Sequence, residues 1–492
     1  MSPALATLVC LAFIAYLYWL DLRRPNGLSH ALWVPLAWMF IAGSRYVSSW
    51  LGLSPTFQTA ADFAEGSPID RAVFFSLIIA GVIILARRKI EWARLFRDNW
   101  WLCLYLLYCL SSVTWTDEPF ILLKRFVKDL GNFVMVLVVL TDRRPYEAMA
   151  ALLRRLAFLT LPLSALFIKY YPGLARDYRP GGGVMYTGIG HQKNDLGLLC
   201  LLAGLYLLWE LLRRDDGRQP NFARENRLVA IILGMLMLWL LNMSDSKTPV
   251  VCLTAATILL TMGRLPFVAR QPGWLIGATI ASVPLVWILN NSQVKEFIFS
   301  LIGRDASLTN RTEVWELVGQ FSGNPIVGVG FMSFWSGERI DEIWRQLGVQ
   351  INQAHNGYIE QYLNLGIVGV GFIIGIMLFA LLHIAREMKL DPGTNMLRLS
   401  IVAAAVLYNI TEASFYGTNN MWVLFLLGVI QPPLAGQSVP SAAPAARARV
   451  AARGLGALRP QALFARRLDG ANTASRLRFK RQSQPSRSPQ PA

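Results

Sequence analysis

Three short stretches of this chain hold the residue types that move protons and hold anions. The first is Gly190–Gly197, where His191, Lys193, Asn194 and Asp195 stand just ahead of an apolar run. Backbone N–H groups at a helix start, beside a lysine, suit an anion. An interfacial helix capped by Asn194 or Asp195 explains the same residues without a ligand. The second is Gly303–Trp315, in which Arg304 and Arg311 flank Thr309 and Asn310. A guanidinium offers phosphate a planar fork and keeps its charge beside a membrane. The plain alternative is two surface arginines on an amphipathic helix that starts near Thr309, with Glu313 close to a capping-box position. The third is Ala354–Glu360, with His355 and Asn356 directly before another apolar run and Glu360 just inside it. Imidazole takes a proton near neutral pH. Of the 4 histidines, His30 and His383 fall on one side of the spans, whereas His191 and His355 share the other, each near an asparagine.

Metal chemistry finds no support. There is no HExxH, no paired cysteine and no DxD pair, and Asp215-Asp216 lies among arginines. The 5 cysteines lie in or beside apolar runs and read as small core residues. No metal and no cofactor are expected, so the substrate has to arrive already activated.

The elements that position these residues are membrane spans. The chain is 54% hydrophobic and 16% charged with mean hydropathy +0.40, the composition of a polytopic membrane protein. About twenty apolar residues cross a bilayer. That ruler places spans near 3–20, 31–51, 72–86, 99–115, 121–141, 151–171, 195–212, 228–243, 249–263, 273–290, 362–385, 397–413 and 420–435. The fold expected is all-α and polytopic, with about 12–13 transmembrane helices and one large loop over 292–356. No Lys or Arg precedes Ala4–Leu20 and no A-x-A site follows it, so a retained span is expected there. Alternating the sides gathers most of the 47 lysines and arginines on one face, which the positive-inside rule makes cytoplasmic. The large loop then lies outside. Residues 1–435 read as one membrane domain, and 436–492 as a disordered, basic, cytoplasmic tail rich in Pro, Ala, Ser and Arg. Such a tail either rests on anionic lipid or reinforces topology, and no nucleic-acid partner is expected. Gly181, Gly182, Gly183, Gly188, Gly190 and Pro180 argue against regular structure ahead of His191.

With these residues in view, the chain resembles the O-antigen ligase and polysaccharide polymerase superfamily. His355-Asn356-x-Tyr358 followed by Leu365-Gly366-Ile367-Val368-Gly369 is similar to the family's His-Asn-x-(Tyr/Phe)-Leu start of the span after the large loop. Thr309-Asn310-Arg311 with Trp315 resembles its Thr-Gly-Arg-x-x-x-Trp, with Asn310 in place of Gly. Asn324-Pro325 with Gly328-Val329-Gly330-Phe331 resembles its Pro-(Leu/Ile)-x-Gly-x-Gly-Phe turn. Gly190–Gly197 is similar to the His-Lys-Asn-x-Leu-Gly of the exopolysaccharide-polymerase branch related to succinoglycan polymerisation, with Gln192 inserted.

The resemblance implies a glycosyltransferase of the GT-C type in the bacterial inner (cytoplasmic) membrane, with its large loop periplasmic. Its substrate would be an oligosaccharide on undecaprenyl diphosphate, within membrane lipid, with chain-length regulator and export proteins as further partners. It implies Arg311 as a diphosphate ligand with Lys193 or Arg179 as its partner cation. His191, Asn194, Asn356, Glu360 and Arg304 fall in or beside the matching motifs and join the substrate-binding set. His355 becomes the base that frees an acceptor hydroxyl, in a single inverting displacement. Polymerisation of repeat units into exopolysaccharide is the function expected first. A ligase moving a lipid-linked glycan to another acceptor is the near alternative. A polysaccharide transporter or flippase is a third, although it should carry charges at the bilayer midplane.

Overall fold

The computed structural model describes residues 1–24, 27–53, 66–178, 183–212, 220–265, 273–274, 276–281, 311–388 and 390–433, with the backbone alone at 220–226 and 311–313. Among them the chain is almost wholly helical. In order come α1 (Pro3–Leu22), α2 (Trp33–Gly43), α3 (Pro68–Ala86), α4 (Trp92–Asp98), α5 (Trp100–Ser111), α6 (Pro119–Leu140), α7 (Pro145–Tyr170), α8 (Lys193–Leu212), α9 (Pro220–Ser244) and α10 (Lys247–Met262). After the large loop's α11 (Arg311–Gln320) and α12 (Gly337–Leu347) follow α13 (Gly357–Glu387), α14 (Pro392–Thr411) and α15 (Asn420–Val429).

Among the described residues six helices are long and apolar enough to cross a bilayer: Pro3–Leu22, Pro68–Ala86, Pro145–Tyr170, Lys193–Leu212, Arg227–Ser244 and Gly357–Glu387. The chain is an all-α polytopic membrane protein. Four further apolar helices are shorter than a span, and the expected span at 273–290 falls largely outside the described residues. The expected span at 31–51 is not one helix. It stops at Gly43 because Ser44 leaves helical angles (φ −111°, ψ −137°), and Val47–Trp50 forms a separate turn. Packing accounts for the glycine, since a Cβ at Gly43 would overlap the Asn420 amide.

The ends of the bundle differ. At one, buried charges meet opposite ones: Arg154 and Arg155 share Asp21 through Nε bonds of 2.6 and 2.7 Å, and Arg398 meets Glu387 at 2.7 Å. Pairing is what keeps such groups tolerable in a low-dielectric setting. Trp209 at the end of α8 donates to Gly393 at the start of α14, joining these groups at one end. The opposite ends of the same helices carry the polar motifs.

One span is broken, and the break is where the large loop docks. Gly366 inside α13 has φ 64° and ψ −165°, a region essentially closed to other residues. The interruption frees backbone groups that hydrocarbon cannot solvate, each costing several kcal/mol if left alone. The turn Asn324–Phe331 takes them up. Val329 and Gly330 donate to the Leu363 and Asn364 carbonyls (3.3 and 2.8 Å), while Ile367 and Val368 donate to Pro325 and Ile326 (2.9 and 3.2 Å). This contact requires two glycines: a Cβ at Gly328 would strike the Asn364 carbonyl, and one at Gly366 the Ile326 carbonyl. Behind the turn, Val318, Phe334, Trp335, Ile340, Ile343 and Ala354 make a small core of the loop's own. Gly366→Ala is therefore expected to destabilise by on the order of 1–3 kcal/mol from the backbone angle alone, before any overlap. Gly371→Ala, in the same helix with open space at its Cβ, is the comparison. Equal unfolding temperatures for the two purified variants would contradict the docking role of the break.

The glycine-rich stretch before His191 does hold regular structure, contrary to expectation. Arg176–Tyr178 pairs antiparallel with Val184–Tyr186. Tyr and Val populate the strands themselves, with Tyr178 opposite Val184 and Tyr186 opposite Arg176. Residues 1–435 form one compact unit, and the tail over 436–492 lies outside the described residues.

Candidate functional site

His355 is presented by a strained turn locked to a helix cap. Its φ is +52°, a left-handed conformation uncommon for a residue with a side chain. The next residue, Asn356, caps α13: its Oδ1 accepts from the Tyr358 and Ile359 N–H groups at 3.0 and 3.1 Å. Asn356 also donates through Nδ2 to the Ile410 carbonyl at 3.0 Å. From the other side, Trp315 donates to the Ala354 carbonyl at 2.7 Å, tying the arginine-bearing helix α11 to the residue before His355. The imidazole is about one-third exposed, and its Nδ1 lies 3.6 Å from Oε2 of Glu412. That pair is an ion pair only while the ring is protonated.

Glu412 joins two motifs that are far apart in the chain. Its other carboxylate oxygen accepts from Asn194 Nδ2 at 3.2 Å, and the Asn194 Oδ1 accepts from Ser246 at 3.0 Å. Its backbone carbonyl accepts from Gly357, at the start of α13. Lys193, next to Asn194, donates to the Asp245 carbonyl at 3.3 Å and stands 3.9 Å from its carboxylate. Asp245, itself at φ +47°, also meets Lys247 at 3.3 Å. Asp195 holds the turn ahead of α8 by accepting from the His191 and Gln192 N–H groups, both at 3.1 Å. His191 is exposed and packs edge-on to Tyr46. Partial burial and the Arg45 guanidinium hold its pKa below the usual imidazole value, so the ring is neutral at neutral pH.

The structure thus brings His355, Asn194 and Lys193 to one end of the bundle, with His191 at the edge. It places Glu360 and Asn356 differently from the substrate contacts expected of them. Glu360 is fully buried and accepts from Trp335 Nε1 (2.9 Å), the Tyr416 hydroxyl (2.6 Å) and the Ala354 N–H. A carboxylate so occupied anchors the segment carrying His355, and Asn356 is occupied as a cap. Arg304 and Arg179 lie outside the described residues, as does the side chain of Arg311, whose backbone opens α11 one turn before Trp315. Sequence reading missed Glu412. Its signal is modest: an acid at the exit of an apolar run, opening the polar stretch Glu412–Asn420 before the next span. Asp245, between two spans and flanked by serines, was missed for the same reason.

A family model described as O-antigen ligase matches residues 232–374, from within α9 through the large loop to the docked half of α13. No curated protein matches the chain. The matched region contains the Arg311, Asn324–Phe331 and His355 motifs together with the helix break that seats them. Over that region, less than a third of its length, the chain is similar to the O-antigen ligase family.

Proposed function

We propose that this protein polymerises undecaprenyl-diphosphate-linked oligosaccharide repeat units into exopolysaccharide at the periplasmic face of the inner membrane. The observation that carries this reading is the convergence of His355 and Asn194, from separate motifs, on the single carboxylate of Glu412. An acceptor hydroxyl oxygen attacks the anomeric carbon of the donor sugar while its proton passes to His355. The bond from that carbon to the diphosphate breaks, the electron pair leaves with the diphosphate, and the anomeric centre inverts. Glu412 orients the imidazole and stabilises the imidazolium it becomes. Lys193 and Arg311 neutralise the leaving diphosphate. Helical spacing supports the second role, since a residue four positions before Trp315 shares its helix face. The leaving group is activated in advance, so protein groups alone suffice for the step. The lysine and arginine asymmetry supports a periplasmic loop and a cytoplasmic tail, and the lipid anchor explains a site at a span boundary. Polymerase is preferred to ligase because Gly190–Gly197 is similar to the exopolysaccharide branch.

Arg311 gives the first test. Lysine keeps the charge and loses the two-pronged geometry, so Arg311→Lys is expected to lose most activity at normal membrane abundance. Arg304→Ala, measured beside it, is expected to do far less. Full polymer from Arg311→Ala would remove Arg311 from the diphosphate site.

A further inference from the structure

The end of the bundle that carries His355 holds another group of cations, which the reaction above does not use. Lys128 of α6 places its Nζ 4.9 Å from the Phe74 ring centroid and 5.3 Å from that of Tyr46. This half-buried ammonium has no hydrogen-bond acceptor among the described residues. Asp70 is the carboxylate near it, and Asp70 is already engaged by the N–H of Ser48 at 2.9 Å and by the Ser48 hydroxyl. Among the described residues Arg45, beside Tyr46, donates to the neutral carbonyls of Gly190 and Leu174. The neutral His191 ring stands 5.8 Å from Tyr46.

Stacking on aromatic rings does not by itself account for Lys128. A cation–π contact contributes roughly 0.5–2 kcal/mol. The ammonium has three donors, and the rings supply none of them with an acceptor. Its partial exposure leaves those donors open at the surface, where an anion between Lys128 and Arg45 would take them up. The location is also informative. The segment between α14 and α15 separates the two cation groups: Glu412 meets His355 at one end of it, and Thr418 meets the Tyr46 hydroxyl at the other.

We propose that Lys128 and Arg45, with His191 at their edge, bind the diphosphate of the second lipid-linked substrate, the acceptor repeat unit. This rests on the polymerase reading. Joining two lipid-linked units requires two diphosphate positions: one at Lys193 and Arg311, where the diphosphate departs, and one where it stays attached. No bond breaks at the second.

The test is a count of bound radiolabelled farnesyl diphosphate per full-length chain in phosphatidylcholine nanodiscs. Two per chain are expected for the wild type. Lys128→Gln and Arg45→Gln should each weaken one of the two by roughly tenfold or more, the scale of one lost charged contact. Lys193→Gln should weaken the other. One ligand per chain in the wild type, or two undiminished in Lys128→Gln, would overturn the proposal. If Lys128→Gln binds at neither position it is misfolded, and Arg45→Gln decides. Replacing part of the lipid with phosphatidylglycerol distinguishes a general phospholipid site: unchanged occupancy is expected, and loss of one ligand would overturn the acceptor assignment. Product formation does not enter the count, so failure of the polymerase reading is a separate result.

Discussion

His355→Ala is expected to reduce polymer to a trace while the protein remains inserted at wild-type abundance. A positioned general base contributes typically of order 10² to 10⁴ in rate, and the proposed step has no other imidazole placed against Glu412. The substitution should be structurally mild. Asn356 caps α13 with its own side chain, and Glu360 anchors the segment through the Ala354 N–H, so neither depends on the ring. Loss of a side chain at φ +52° costs little, because alanine is no worse than histidine there by more than a modest margin. His355→Gln separates two roles. An amide still hydrogen-bonds to the acceptor hydroxyl but takes no proton, so near-normal activity in His355→Gln would make the residue a positioning group. Normal polymer from His355→Ala together with loss in His191→Ala would move the base to the other histidine.

The second large effect is expected at Glu412. Glu412→Gln keeps the size of the side chain and leaves its backbone bond to Gly357 untouched. It removes the negative charge 3.6 Å from the His355 ring, and with it the stabilisation of an imidazolium formed during the reaction. A fall in kcat of about 10²-fold or more is expected, by analogy with the carboxylate that orients a catalytic imidazole in hydrolytic triads. Binding of a prenyl diphosphate should be retained, because the carboxylate holds Asn194 and not the leaving group. A variant that loses binding and kcat together, or unfolds at lower temperature, would make Glu412 a structural brace. Unchanged kcat would remove it from the reaction.

What the sequence shows and what it hides follow different physical rules. Composition and run length reveal a bundle of spans, because about twenty apolar residues are needed to cross hydrocarbon. They do not reveal where a run breaks: α2 stops at Gly43, where the missing side chain makes room for Asn420 of α15, and α13 opens at Gly366, where a distant turn fills the gap. Both breaks lie against residues far away in the chain. The same applies to the site. His355, Lys193 and Asn194 are visible as polar residues at the edge of apolar runs, whereas Glu412 gains its meaning only where α8, α13 and α14 end together. Glu360 misleads for a related reason, since an acid inside an apolar run reads as functional until its donors, Trp335 and Tyr416, are seen to surround it.

The central claim is that the chain joins lipid-linked repeat units at His355, and the glycans left on the lipid carrier test it most directly. Cells lacking the protein would be complemented with wild type or His355→Ala, and their lipid-linked glycans extracted and sized. Single repeat units accumulating on the carrier in the His355→Ala cells, with polymer restored by the wild type, are the expected result. Long glycans accumulating on the carrier in the His355→Ala cells would show transfer of a finished chain to another acceptor and contradict polymerisation.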